Sequence, residues 1–355
     1  MRTASGSTAA TSVASGSETK HKSITALCAL DIPTVKIGSQ EDPSVAINNI
    51  QEAFLTKITG VTLENFLRWN ESESRRGRLF FYSSEYEVLI IKYPSAIHEY
   101  LHLGLCHKTT RNLSENLDKE IIPLGSTTFK RMQGGNIAAT AAGEGDSILR
   151  LADRGKNNGW PTVVIEAGWT QNRAALVAKA HWWFEASNNA VKTVLLIKAT
   201  PLQIQIEKWK TSPLPRPITR LYQREATNLY PKIHPPILTI SRASANSPPN
   251  EYRVTGTPLR LEFRDVFLRD PVPPEGDILV EESFFRKCPA RQNHKGRELP
   301  DTEGRGCPVW WGQGKNVICQ PVLRAAGGKW RNKEGDVMYD TGAVVPKGVW
   351  WKCLV

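Results

Sequence analysis

The sequence predicts an α/β protein built on a central mixed sheet with helices on its faces. The main observation is a strand–helix–strand unit between Trp160 and Trp209. Val163, Val164 and Ile165 form a short β-branched run bounded by Pro161 and Gly168, the pattern of a buried strand. Residues 171–186 then place Ala175, Leu176, Lys179, Trp182, Trp183 and Ala186 at helical steps, and residues 194–197 form a second apolar run. Two strands joined through a helix within about 40 residues imply a parallel pair with a right-handed crossover. Further short strand patterns lie on both sides of this unit. The chain's 355 residues, 40% hydrophobic and 23% charged, suffice for a sizeable core.

The elements follow in order. Residues 1–24 are mostly Ser, Thr, Ala and Gly, too polar to offset their ordering entropy, and are expected to form a disordered tail. This segment lacks the apolar stretch of a secretory signal, and its single early arginine is a weak transit signal. Residues 42–67 read as one or two helices, from the spacing of Val45, Ile47, Ile50, Phe54, Leu55, Leu63, Phe66 and Leu67. Strands are expected at 78–82 and 86–91. Pro94 opens a helix over 95–117, a strand follows at 125–129, and the Gly- and Ala-rich stretch 134–145 reads as a loop. After the central unit, Ile204, Ile206 and Trp209 mark a third, more exposed strand. Proline-rich joints follow at 212–217 and 230–236, then strands at 252–254 and 259–263. Four segments result: a tail at 1–24, a helical segment at 25–62, the main domain at 63–282, and a basic Gly- and Trp-rich extension at 283–355. That extension, with five tryptophans and no regular period, is expected to attach loosely.

Charge and cysteine content bound the partners. From Phe284 onward there are 13 Lys/Arg against 6 Asp/Glu, so +7 of the chain's +11 lies in the last segment. A basic excess favours polyanions such as nucleic acid, although composition alone does not define a patch. The longest apolar runs fall far short of the roughly 18–20 residues that span a bilayer, so no membrane partner is expected. Six scattered cysteines do not make a disulfide scaffold, which points to an intracellular, reducing setting.

Three constellations could carry chemistry. His98, Glu99 and His102 spell HExxH, which on a helix places two zinc ligands one turn apart with a glutamate base. His107 is one position too early for the extended form of that motif, and only Glu115 and Glu120 stand downstream as carboxylates. No closed zinc site is therefore expected, and the plain alternative is the start of an amphipathic helix. Cys288, Cys307, Cys319 and Cys353, with His294, lack the close CxxC pairs of a structural zinc site. The third constellation is Asp146 followed twenty residues later by Glu166, a carboxylate closing an apolar strand. Strand ends facing the crevice of a parallel sheet are where α/β folds put ligands. Two carboxylates converging there would hold a hard cation, Mg²⁺ or Mn²⁺, able to activate water against a phosphate. The plain reading is a salt bridge from Glu166 to Arg173.

The order Asp146, Trp160-Pro161-Thr162-Val163-Val164-Ile165-Glu166-Ala167-Gly168, His181-Trp182-Trp183 and the apolar strand to Ile197 resembles a fungal branch of the PD-(D/E)XK, restriction-endonuclease-like superfamily. Leu89 to Glu99, Leu124 to Lys130 and Phe267 to Pro274 agree with it, and the likeness spans roughly residues 63–282. It implies a restriction-endonuclease-like fold and a metal-dependent phosphodiester hydrolysis, with Asp146 and Glu166 on Mg²⁺ or Mn²⁺ and nucleic acid as partner. The superfamily's lysine would stand at the position occupied here by Gly168. Lysine orients water or neutralises phosphate, so another must replace it, and Lys179 on the following helix is preferred over Lys198 on the next strand. A catalytically inactive interaction module of the same fold is the alternative, and a zinc hydrolase through HExxH a further one.

Overall fold

The computed structural model describes residues 22–287, apart from 39–40, 49–53, 73–76, 133–138, 158, 170–172, 214–228, 245–246 and 248, together with a short ribbon at 332–333 and 336–337. The expectations for residues 1–21, for Cys288, Cys307, Cys319, Cys353 and His294, and for most of the basic extension lie outside the described residues.

Two large sheets, a two-stranded antiparallel pair (Leu259–Leu261 with Ile278–Val280) and the helices between and around them make the described fold. The first sheet runs β1 (Thr34–Lys36), β2 (Leu55–Thr59), β4 (Val88–Lys92), β3 (Arg78–Ser83), β7 (Ala139–Glu144) and β6 (Thr128–Met132) in spatial order. The second runs β13 (Arg253–Thr255), β12 (Leu229–Ser241), β11 (Gln203–Pro213), β10 (Thr193–Ala199), β9 (Val163–Gly168), β8 (Ser147–Leu151) and β5 (Ile121–Leu124). Within it β9 and β10 are parallel and joined by α6 (Arg173–Ala186), whereas β5, β8 and β9 alternate direction. This is the mixed sheet with flanking helices that the sequence predicts. None of the described helices is long and apolar enough to cross a membrane.

The layering explains which residues are buried. Along β9 every residue is buried, as expected of a strand covered on both faces. Period two sends Val163, Ile165 and Ala167 into one core with Leu101 and Leu105 of α4 (Ala96–Arg111), and Val164 into another with α6. The first sheet covers the far side of α6 through Phe80, Phe81 and Ile90. Its own outer face packs on α2 (Pro43–Asn48) and α3 (Leu63–Glu71) through Ile58, Leu79, Tyr82 and Leu89. Helix α6 therefore lies between two sheets. That position accounts for the burial of most of its surface, with Ala175, Leu176, Trp182, Trp183 and Phe184 all buried, while Arg173, Val177, His181 and Glu185 form a partly exposed stripe at four-residue steps.

Three sequence expectations are corrected. Residues 55–59 are not helical but a strand, because β2 lies between β1 and β4 and pairs with both. The apolar spacing there fits either period, and strand pairing decides it. Within the expected loop 134–145, residues 139–144 form β7, whose small residues let it pass close over α6. A Cβ on Gly143 would stand 2.6 Å from Lys179 Nζ and 2.8 Å from the Trp182 ring. The proline-bearing segment 230–236 belongs to β12 rather than to a joint. It is tolerated because β13 covers only residues 239–241 of that strand, leaving the prolines on an edge, and a register shift between Ile206 and Lys208 absorbs the irregularity. At the other boundary, α8 (Glu282–Lys287) continues the described fold past 282, with Phe285 buried in the core.

Gly143→Ala should destabilise the protein by about 1–3 kcal/mol, the range for overpacking against a rigid ring. Urea denaturation of the two proteins checks this.

Candidate active site

Asp146 and Glu166 face each other across two strands. Ser147 pairs with Ile165, and one further residue along that register sets Asp146 opposite Glu166. Asp146 is also where the chain passes from β7 of the first sheet to β8 of the second. Its Oδ2 accepts from the backbone N of Ala167 at 2.8 Å, which locks the carboxylate beside the strand carrying Glu166. The antiparallel register of β8 and β9 brings these two carboxylates together, with Glu166 inside β9 rather than at its end as the sequence suggests.

A third group joins them from the first sheet. The Lys92 ammonium contacts Asp146 Oδ1 and lies 3.9 Å from Glu166 Oε2. Lys92 follows the apolar run Val88–Ile91 and ends β4, whereas Glu166 follows the run Val163–Ile165 with β9 continuing two residues beyond it. The same sequence signal, a charge following an apolar run, is present at Lys92, but its position 54 residues before Asp146 hides the partnership.

Helix α4 supplies the other side. Ser95 caps it, accepting from the backbone N of His98, and its buried stripe runs His98, Leu101, His102, Leu105, Cys106 and Thr109. The two histidines head that stripe, so they point inward with the leucines. His98 Nε2 meets Asp146 Oδ2 at 2.9 Å and its Nδ1 meets Glu99 Oε1 at 3.2 Å. His102 Nδ1 meets Ser147 Oγ at 2.8 Å. The expectation that no third ligand stands near HExxH is corrected here. The helix itself offers none, but Asp146 arrives from the sheet, and ligand atoms of His98, His102 and Asp146 all lie within 4.8 Å of one another.

The lysine candidates part ways. Lys179 is fully buried on α6, its ammonium against the Phe80 carbonyl oxygen and 4.9 Å from the Phe80 and Trp182 ring centroids. It reaches the first sheet, near enough to Glu166 for the two charges to influence each other. Lys198 pairs in register with Gly168, directly beside the position of the superfamily lysine, and donates to the Trp169 carbonyl at 3.1 Å. Arg173 does not bridge to Glu166. Its guanidinium binds Glu207 through two hydrogen bonds, of 2.8 and 3.0 Å. Glu166 Oε1 instead accepts from Trp183 Nε1 at 2.7 Å, while Oε2 is buried without a hydrogen-bond partner.

Burial makes these charges unequal. For Glu166, burial and the neighbouring Asp146 charge push the carboxyl up to about 7, against the pull of Lys179 and Lys92. Asp146 also suffers burial, but His98 and Lys92 hold it well below the usual carboxylate range. Burial brings Lys179 down to about 8, with Lys92 adding to the effect and Glu166 opposing it. Burial alone would lower His98, yet Asp146 and Glu99 raise it overall. For His102 burial wins and the imidazole falls. The Cys28 and Cys106 thiols are pushed up to about 12 and about 11 by burial, which makes neither a nucleophile at neutral pH.

With this geometry in place, comparisons with known proteins add little. The sequence matches no protein-family profile and no curated protein. One similar solved structure is that of a candidate nuclease belonging to DUF820 from Anabaena variabilis, 14% identical, with a TM-score of 0.30 over 46% of this chain and 92% of that one. A likeness this loose carries no argument about chemistry.

Two predictions follow from the charge pattern. Glu166 keeps a proton in the folded state that the unfolded chain releases, so its contribution to stability should fall as pH rises from about 4.5 to about 7. The slope reaches at most about 1.4 kcal/mol per pH unit. Urea midpoints at pH 5 and pH 8 should therefore differ between wild type and Glu166→Gln in that sense. Separately, Lys92→Met should cost about 3–5 kcal/mol at pH 7 by stranding a buried carboxylate. The double variant Lys92→Met/Asp146→Asn should lose less than the sum of its parts in a denaturation cycle.

Proposed function

We propose that this chain is a nuclease-like protein in which Asp146 and Glu166 hold a hard divalent cation, Mg²⁺ or Mn²⁺, for hydrolysis of a nucleic-acid phosphodiester. The supporting observation is that the two carboxylates oppose each other in register and share one cation, the Lys92 ammonium. The donor set fits such an ion. Both groups offer oxygen, and Glu166 Oε2 is a buried acceptor without a hydrogen bond. A bound ion would lower the pKa of its water and stabilise charge on phosphate. Asp146 supplies the ionised carboxylate, held so by His98 and Lys92. Glu166 would be the second oxygen ligand, and because burial and Asp146 raise its proton affinity in the metal-free protein, the ion would displace a proton on binding there. In this reading the cationic role left open by Gly168 falls to Lys92, which already reaches both carboxylates, with Lys179 behind Glu166.

A second reading, a catalytically inactive module of the same fold, draws on a specific feature. Lys92 already neutralises the carboxylates, and Asp146, Glu166, Lys92 and Lys179 are all at least 98% buried. Cleavage of labelled single- and double-stranded DNA and RNA with Mg²⁺ and Mn²⁺ separates the two. The nuclease reading expects metal-dependent cleavage by wild type and a loss of about 10²-fold or more in Glu166→Gln, with Lys179→Met intermediate. Absence of cleavage with either ion, with no Mn²⁺ bound in titration calorimetry, would leave the inactive module.

A further inference from the structure

The chemistry proposed above uses the side of Asp146 that faces Glu166. Its Oδ2, which accepts from Ala167 N, also faces α4, where two imidazoles converge and one ring nitrogen is left without a hydrogen bond. His98 and His102 lie one helical turn apart, with ring centroids 5.0 Å from each other. Each has its Nδ1 engaged by a neighbouring oxygen, His98 by Glu99 Oε1 and His102 by Ser147 Oγ. Each therefore leaves Nε2 for another purpose. That of His98 points at Asp146 Oδ2, and that of His102 is fully buried without a hydrogen bond. The nearest carboxylate oxygen to His102 Nε2, Glu99 Oε2, lies 3.3 Å away at an angle that makes none.

An oxygen partner on the outer nitrogen, which fixes the tautomer and the ring plane, is the arrangement of metal-ligating histidines; here the inner nitrogen of His102 has no hydrogen bond and that of His98 already faces the Asp146 carboxylate. We propose that His98, His102 and Asp146 form a site for a borderline transition-metal ion, Zn²⁺ in the first instance, bound through both Nε2 atoms and Asp146 Oδ2. The imidazole nitrogens select such an ion over Mg²⁺. The three ligand atoms lie close enough for small side-chain rotations to bring them onto one ion at roughly 2.0–2.2 Å. Three protein ligands leave a coordination position open. Glu99 and Ser147 are positioning residues in this arrangement. The ion would enter past the Arg78–Glu99 ion pair, whose side chains, 16% and 26% exposed, reach solvent where the imidazoles do not. Glu99 thus has a role different from the base of an HExxH hydrolase, since it braces His98 and pairs with Arg78.

The test uses Co²⁺ as a spectroscopic substitute for Zn²⁺ on the full chain. The expected result is one equivalent of Co²⁺ bound with a visible d–d spectrum, displaced by one equivalent of Zn²⁺ and unaffected by excess Mg²⁺. His102→Ala should lose the spectrum and Ser147→Ala should bind about 10–100-fold more weakly. Glu166→Gln should keep the spectrum, since Glu166 lies outside the site. Proton NMR of the wild-type Co²⁺ protein gives a readout that does not depend on the variants folding. Two exchangeable, hyperfine-shifted imidazole N–H signals are expected, one from each Nδ1. No stoichiometric Co²⁺ binding, or fewer than two such signals, overturns the proposal. Loss of the spectrum in Glu166→Gln but not in His102→Ala also overturns it, and would place the ion between Asp146 and Glu166 instead.

Discussion

The described structure depends on a buried carboxylate at a crossing point. Asp146 sits where the chain leaves one sheet and enters the next, and it must remain ionised without water. A lysine, an imidazole and a backbone amide accomplish this: Lys92 from the first sheet, His98 from α4, and the N–H of Ala167 in the second sheet. An isolated carboxylate moved to such a place would cost several kcal/mol even after relaxation. Each partner comes from a different element, so the need to neutralise one charge ties both sheets and a helix to one point. The same bonds bring Asp146, Lys92 and His98 together at the point where Glu166 stands.

Glu166 is the counterpart that is not fully neutralised. It shares Lys92 at a longer distance, receives one hydrogen bond from Trp183, and stands beside an ionised Asp146. Its elevated pKa is the physical result of being second in line for a limited supply of positive charge. Two neighbouring carboxylates with different proton affinities offer two roles, one permanently anionic and one able to exchange a proton near neutrality.

Much of this was legible in the sequence, for reasons that differ from residue to residue. Glu166 could be found because a charge terminating a β-branched run is unusual, and Asp146 because the resemblance supplied its spacing. The central strand–helix–strand unit was legible because a parallel pair needs a crossover. What escaped were features set by long-range contact. Lys92 follows an apolar run as Glu166 does, but nothing local says which distant carboxylate it will meet. Asp146 as a neighbour of HExxH is invisible for the same reason, since it comes from the sheet, 44 residues beyond His102, and not from the helix. Residues 55–59 and 139–144 were misassigned because neighbouring strands, not their own periodicity, fix their conformation.

The position of α6 between the two sheets has a consequence for how such a protein can change over time. Each sheet provides one wall of the same helix, so neither could be separated and still bury its apolar face. The two sheets and α6 therefore form one packing unit. Shuffling that exchanged one sheet for that of another protein would leave α6 with an unmatched wall, and Lys179 and Trp182 without the strands that enclose them. Variation can accumulate freely only where the outer helices and the edge strands meet solvent.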